Sequence, residues 1–130
     1  MKSLLLLIVC LVAFAVAAPG ADQATARVET GKLQHVVSFK FKEDASRAQI
    51  QKVEEAFAGL PKKIKAIKHY EWGTNVSPEK LDKGFTHCFI LTFDTAADRD
   101  AYLVHPDHKA FGSLVGPVLA DVFVIDFWVK

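Results

Sequence analysis

The chain is poor in the residues that staple small folds. Two cysteines, Cys10 and Cys88, stand in 130 residues, so a disulfide scaffold is excluded and no C-x-x-C pair exists to hold zinc. A surplus of charge is missing too: 16 Lys and Arg face 15 Asp and Glu. Without a basic stripe the chain is no electrostatic binder of nucleic acid. No G-x-G-x-x-G and no P-loop occurs, which removes the nucleotide readings that depend on those loops. Internal repeats and low-complexity blocks are absent as well. At 24% charged and 11% aromatic residues, the composition is that of a folded chain. Its length allows one ordinary domain.

One apolar run is long. Positions 4 to 18 read LLLLIVCLVAFAVAA, with Lys2 before them and Ala15-Val16-Ala17 near their end. This pattern is expected to be a secretory signal peptide over 1–17. A cut after Ala17 is preferred, because one after Ala18 would set Pro19 across the scissile bond. The run would reach only about 22 Å as a helix, against about 30 Å of hydrocarbon. The expectation is therefore a secreted or periplasmic protein with no stable membrane anchor, with a buried N-terminal helix as the alternative. The cut also removes Cys10 and Lys2, so the mature chain holds Cys88 alone and charges of 15 against 15. Residues 18–32 (APGADQATARVETGK) are small, polar and aperiodic, and predict a flexible tail. Asn75-Val76-Ser77 matches a glycosylation sequon, but Pro78 follows it.

From residue 33 onward the periodicity alternates between strand and helix. Leu33, His35, Val37, Phe39 and Phe41 recur every second position and predict a strand. Ser46 with Gln49 spells a capping box; Ile50, Val53, Phe57 and Leu60 follow at helical spacing, with Gly59 and Pro61 expected to end that helix. Ile64 to Val76 is expected as a second strand and SPEKLDKG (77–84) as a turn-rich connection. Phe85 to Asp94 is the clearest strand, with Phe85, His87, Phe89, Leu91 and Phe93 facing one way. Thr95 and Asp98 can cap a helix to about His105, Pro106 opens another, and Gly116-Pro117 ends or bends it. Asp121 to Val129 closes the chain as a strand. The order βαββαβ over about 100 residues is α+β and ferredoxin-like, a mainly antiparallel four-stranded sheet with helices on one face.

The second sheet face then needs a cover. It is expected to carry Val36, Ile90, Val122, Val124 and Trp128 beside Ser38, Cys88 and Thr92. Four strands of this length make a face of roughly 500 Å². A half-apolar patch of that size seldom stays exposed on a monomer, so a second copy of the chain is the expected partner.

HVVSFKFKE (35–43), YEWGTNVSPE (70–79), GFTHCFILTF (84–93), DAYLVHPDHKAF (100–111) and VIDFWV (124–129) together resemble the stress-responsive A/B barrel (Dabb) domain. The resemblance covers residues 33–130 and implies a dimeric α+β barrel in which two ferredoxin-like subunits close their sheets on each other. It implies less about chemistry, since members resemble plant stress and heat-stable proteins, mostly without a defined reaction. A polyketide cyclase of the family works without metal or cofactor, and its acid-base positions match Tyr102 and His108. Its pocket-lining histidines match His35 and His87. A signal-like segment is foreign to that cyclase, and the same tyrosine and histidines belong to the general domain pattern.

Strand parity sets His35 and His87 on the helix-facing side with Phe39 and Phe89, while Tyr102 and His108 come from the helical layer opposite. The expectation is one apolar cavity in which His35, His87, Phe39 and Phe89 meet a ligand and Tyr102 and His108 form an acid-base pair. Burial would keep such histidines neutral, and a phenol can donate a proton or hold an enolate oxygen. The competing reading makes His35 and His87 hydrogen-bonded core residues. His105-Pro106-Asp107-His108 offers metal ligands only superficially, since Pro106 should turn His105 and His108 apart, and neither metal nor cofactor is expected. Lys62, Lys63, Lys65 and Lys68 read as a solvated face, and Cys88 as packing. Three functions stay open: a small-ligand or stress-protective dimer, a cofactor-free acid-base enzyme of polyketide-cyclase, lyase or isomerase type, and a structural assembly.

Overall fold

A strand that alternates large apolar and smaller or polar residues must choose which side to bury. The first strand, β1 (Leu33–Phe41), turns Leu33, His35, Val37 and Phe39 inward. The computed structural model describes residues 31–130, so the expected signal peptide over 1–17, and the tail over 18–32 up to residue 30, lie outside the described residues. Helix α1 (Arg47–Lys63) opens with the expected capping box. Gln49 N donates to Ser46 Oγ at 3.3 Å and Ser46 N to Gln49 Oε1 at 2.8 Å. The helix does not stop at Gly59 or Pro61 but runs through both. Proline forfeits one backbone bond and crowds the carbonyl four residues earlier. Burial of Leu60, Ile64 and Ile67 at its end outweighs that loss, and Ile64 N still donates to Leu60 O at 2.8 Å.

The next strand, β2 (His69–Thr74), is shorter than its apolar pattern suggests. Ile64 and Ile67 belong to a turn closed by Ile67 N donating to Ile64 O, and both are buried under α1. Strand β3 (His87–Phe93) follows, with Phe85 left in the preceding loop. Helix α2 (Ala96–Val104) is capped by Thr95, whose Oγ1 accepts from Asp98 N at 3.0 Å. Helix α3 (Pro106–Val115) starts at Pro106 and passes through a 3₁₀ turn, Gly116–Val118, into β4 (Leu119–Trp128).

The sheet order is β2-β3-β1-β4 and every pairing is antiparallel. Phe57, Phe89, Leu91, Phe93 and Tyr102 fill the core between sheet and helices. Among the described residues no helix is long and apolar enough to cross a membrane.

Register corrects the expected face of β4. Val37 pairs with Val124 and Phe39 with Val122, so Val122, Val124 and Trp128 lie on the helix side, not on the open face. The open face instead carries Phe123, Ile125 and Phe127 beside Val36, Ser38, Cys88 and Ile90. The sequence VFVIDFWV is apolar at both parities, so alternation within β4 cannot phase the strand; only its pairing to β1 does.

Candidate functional site

The helical layer covers β3 and β1 and stops short of β4, the edge strand. Val122 and Val124 are consequently about half exposed although they face the helices. The gap is a cavity of about 520 Å³, walled by β1, β4, α2 and α3 and by Phe57 of α1. A larger depression of about 770 Å³ joins Ser38, Cys88, Ile90 and Phe123 of the open face to Trp72, His87 and the loop residues Asp82 and Lys83 at the sheet's end. Volume alone does not pick a site; convergent polar groups in an apolar wall do, and these favour the smaller cavity.

Three of the four expected side chains meet there. His35 of β1, Tyr102 of α2 and His108 of α3 all line it. Ring centroids lie 4.3 Å apart for Tyr102 and His108, and 5.7 Å apart for Tyr102 and His35. His87 does not join them, which corrects the expected convergence of four. It sits one strand over, paired with Phe39, and both its nitrogens are engaged: Nδ1 with Thr86 Oγ1 at 2.8 Å and Nε2 with Glu54 Oε1 at 2.9 Å. Phe39 lines the cavity, whereas Phe89 is fully buried behind Phe39 and Phe57 and does not line it.

Each polar group of the cavity has a distinct electrostatic setting. His108 Nδ1 donates to the Leu103 carbonyl at 3.1 Å, so the ring's proton sits on Nδ1 and the Nε2 lone pair is free. Burial pushes the His108 pKa below the ordinary imidazole value, the Leu103 carbonyl opposes this, and His35 and His105 add to the lowering. A neutral imidazole with an open Nε2 is a base. Burial raises the Tyr102 phenol, and the Tyr70 hydroxyl raises it further, so Tyr102 stays a proton donor. The Tyr102 side chain is almost wholly buried and borders the cavity.

His35 is held from behind. Its Nδ1 lies 2.6 Å from Asp126 Oδ1, and the Arg99 guanidinium donates to Asp126 Oδ2. With Arg99 on one oxygen, the Asp126 carboxylate accepts from His35 Nδ1 and fixes that tautomer. Sequence reasoning missed Asp126 and Arg99. The signal was present, since Asp126 is the one carboxylate in the apolar run 122–129. Tyr70 was missed as well; its hydroxyl is sealed without a partner and its pKa is raised by burial and by Glu54. His105 caps α3 by accepting from Asp107 N at 3.2 Å. Among the described residues no three His, Cys, Asp or Glu side chains gather as metal ligands would.

Fold and cavity define a ferredoxin-like α+β domain with a half-open apolar pocket and a tyrosine and two histidines at one end. The family model described as Stress responsive A/B Barrel Domain matches residues 33–129, and the chain belongs to that family. It is 34% identical over 97 residues to the stress-response A/B barrel domain-containing protein HS1 of Arabidopsis thaliana, covering 75% of this chain and 89% of that protein. Olivetolic acid cyclase of Cannabis sativa is 26% identical over 95 residues, covering 73% of this chain and 94% of the cyclase. A crystal structure from Arabidopsis thaliana superposes with a TM-score of 0.72 at 33% identity, covering 75% of this chain and 95% of the other. A Bacteroides fragilis protein of ferredoxin-like fold, described as dimeric, gives 0.63 at 26% identity, covering 76% and 97%.

Proposed function

We propose that the chain is an exported, homodimeric stress-responsive A/B barrel protein that takes a small, largely apolar ligand into the cavity under α2 and α3. The observation that carries this reading is the cavity of about 520 Å³ with its polar groups gathered at one end. That volume lies within the range of small-molecule sites. Dimerisation is supported by the open apolar face and by neighbours described as dimeric. Export rests on the segment 1–17 alone. N-terminal sequencing of exported protein is expected to begin at Ala18; full-length chain held in membranes would overturn that part.

Thermal-shift measurements with a panel of phenolic and fatty-chain compounds test the ligand reading. Wild type is expected to be stabilised by some of them, because a ligand that binds only the folded state raises its stability. Tyr102→Phe is expected to keep nearly wild-type stability and lose the response to phenolic compounds. A panel without effect on wild type would refute the reading.

Acid-base catalysis is the second reading, favoured by the open Nε2 of His108 with the Tyr102 ring packed beside it. His108 would remove a proton next to a carbonyl and Tyr102 would hold the resulting enolate oxygen, without metal or cofactor. This suits a ring closure of the cyclase kind, or a related lyase or isomerase step. Turnover lost in both Tyr102→Phe and His108→Gln would support it, and turnover surviving in both would exclude it.

A further inference from the structure

The connection 75–86 between β2 and β3 leans over the open face of the sheet. Phe85 shares the sequence parity of His87 and Phe89, yet its ring lies 6.2 Å from that of Phe123, on the open side of β4 two strands away. Lys40, which shares that side with Val36 and Ser38, donates from Nζ to the Lys83 carbonyl at 3.0 Å. Gly84 permits this approach: its φ is +87°, and a Cβ there would lie 2.8 Å from Lys40 Cε. The loop is also braced in its shape. Asn75 Nδ2 donates to Asp82 Oδ2 at 3.0 Å and Gly84 N to Asp82 Oδ1 at 2.6 Å. Lys80 and Lys83 are held in the left-handed region that lysine ordinarily avoids.

Between this loop and the sheet lies the depression of about 770 Å³. Ser38, Cys88, Ile90 and Phe123 form its floor, and Leu81 and Phe85 stand on the loop side. Leu81 is 74% exposed although it lines the depression, so it overhangs a space that no described residue fills. The open face alone is small for a stable contact. Its roughly 500 Å² falls short of the about 800 Å² that each partner gives to a standard interface. The depression is continuous with that face through Ile90 and Phe123 and adds apolar area beside it. A two-fold contact is self-complementary, so what enters the depression comes from the same face of the second copy. On that face β2 offers His69, Glu71 and Gly73, whereas β4 offers Phe123, Ile125 and Phe127, each about half exposed.

We propose that the connection 75–86 is a docking lip of the homodimer: Leu81 and Phe85 close over β4 of the second copy, whose side chains fill the depression. The proposal rests on the homodimeric part of the reading above and adds where the second copy is gripped.

A chain beginning at Ala18 carries one thiol, Cys88, on the floor of the depression, and this makes the contact measurable. Sedimentation equilibrium gives the dimer dissociation constant, and labelling of Cys88 by Ellman's reagent reports whether the depression is filled. Wild type should dimerise, and its thiol should react about tenfold more slowly in the dimer than after dilution to monomer. Leu81→Asp should raise the dissociation constant about tenfold with unchanged circular dichroism, because the exposed side chain supports little within one copy. Leu81→Ser should act in the same direction, by roughly threefold. Val76→Asp is the control, since Val76 is 91% exposed in the same loop but lies outside the depression, and it should change neither readout. Leu81→Asp and Leu81→Ser dimers as tight as wild type overturn the lip alone. Fast labelling of Cys88 in the wild-type dimer also overturns it and leaves the depression to a small ligand. If wild type is a monomer, both this proposal and the homodimeric reading fall.

Discussion

His108 shows how one residue can be tuned by its neighbours. Its pKa is lowered chiefly by burial, while the Leu103 carbonyl, which accepts from Nδ1, pulls the other way. The unfolded chain takes up its proton near pH 6.5, the ordinary value. Above that pH both states are neutral and His108 contributes no slope. As pH falls below 6.5 the unfolded chain binds a proton that the folded site refuses, so stability drops until the folded pKa is passed. Urea unfolding of wild type and His108→Gln at several pH values is expected to show a shallower acid loss in the variant. Equal slopes below pH 6.5 would mean that His108 sits in an ordinary environment. Tyr102 has no matching slope in that range, since its phenol is pushed up and stays protonated in both states. The residue scale was partly legible beforehand. His35, Tyr102 and His108 follow from strand parity and helix placement, and the structure sets them around one cavity. Asp126 and Arg99 were hidden because they meet only through the pairing of β4 to β1 and the packing of α2 against it, which no local pattern encodes.

Elements were more legible where a cap or a turn fixed them than where alternation alone was read. The capping box at Ser46 and Gln49 forms as spelled, and Thr95 caps α2 as expected. Ser46→Ala is expected to cost about 1 kcal/mol, because the Gln49 amide would lose its side-chain acceptor at the start of a long helix. Equilibrium unfolding in urea measures this; a change below a few tenths of a kcal/mol would mean that water replaces the hydroxyl without loss. Pro61 shows the limit of such signals, since burial of Leu60 and Ile64 on either side keeps the helix going through it. β4 shows another limit. A strand apolar on both faces carries no parity of its own, so Val122, Val124 and Trp128 were expected on the wrong side. His87 misled for a related reason. It does share a sheet face with His35, but it pairs with Phe39 and is engaged by Glu54 and Thr86, at the far end of that face.

For the whole molecule, the corrected register sharpens the case for a second copy. The open face now carries Phe123 and Phe127 with Ile125, each about half exposed, beside Val36 and Ile90. They stand there in place of Val122, Val124 and Trp128, and the face is still largely apolar. A face of roughly 500 Å² at about 25 cal/mol per Å² would give about 12 kcal/mol if fully buried, before the entropy of association is subtracted. Among the described residues β4 is also an edge strand, ten residues long, so both its face and its edge suit a partner. The same chain folded alone would expose an aggregation-prone surface. Wild type is accordingly expected to sediment as a dimer at micromolar concentration. Ile90 stands near the middle of the open face, paired with Val36 and Glu71 on its neighbouring strands. Ile90→Lys would bury a charge without a counter-ion in the centre of that contact, and is expected to dissociate or unfold the protein. Phe123→Ser is the milder companion, because it removes a ring from the edge strand without adding charge. It should raise the dissociation constant while circular dichroism still reports the fold. A wild-type monomer in sedimentation equilibrium, with the Ile125 and Phe127 side chains in water, would overturn the dimer and leave that apolar face unexplained.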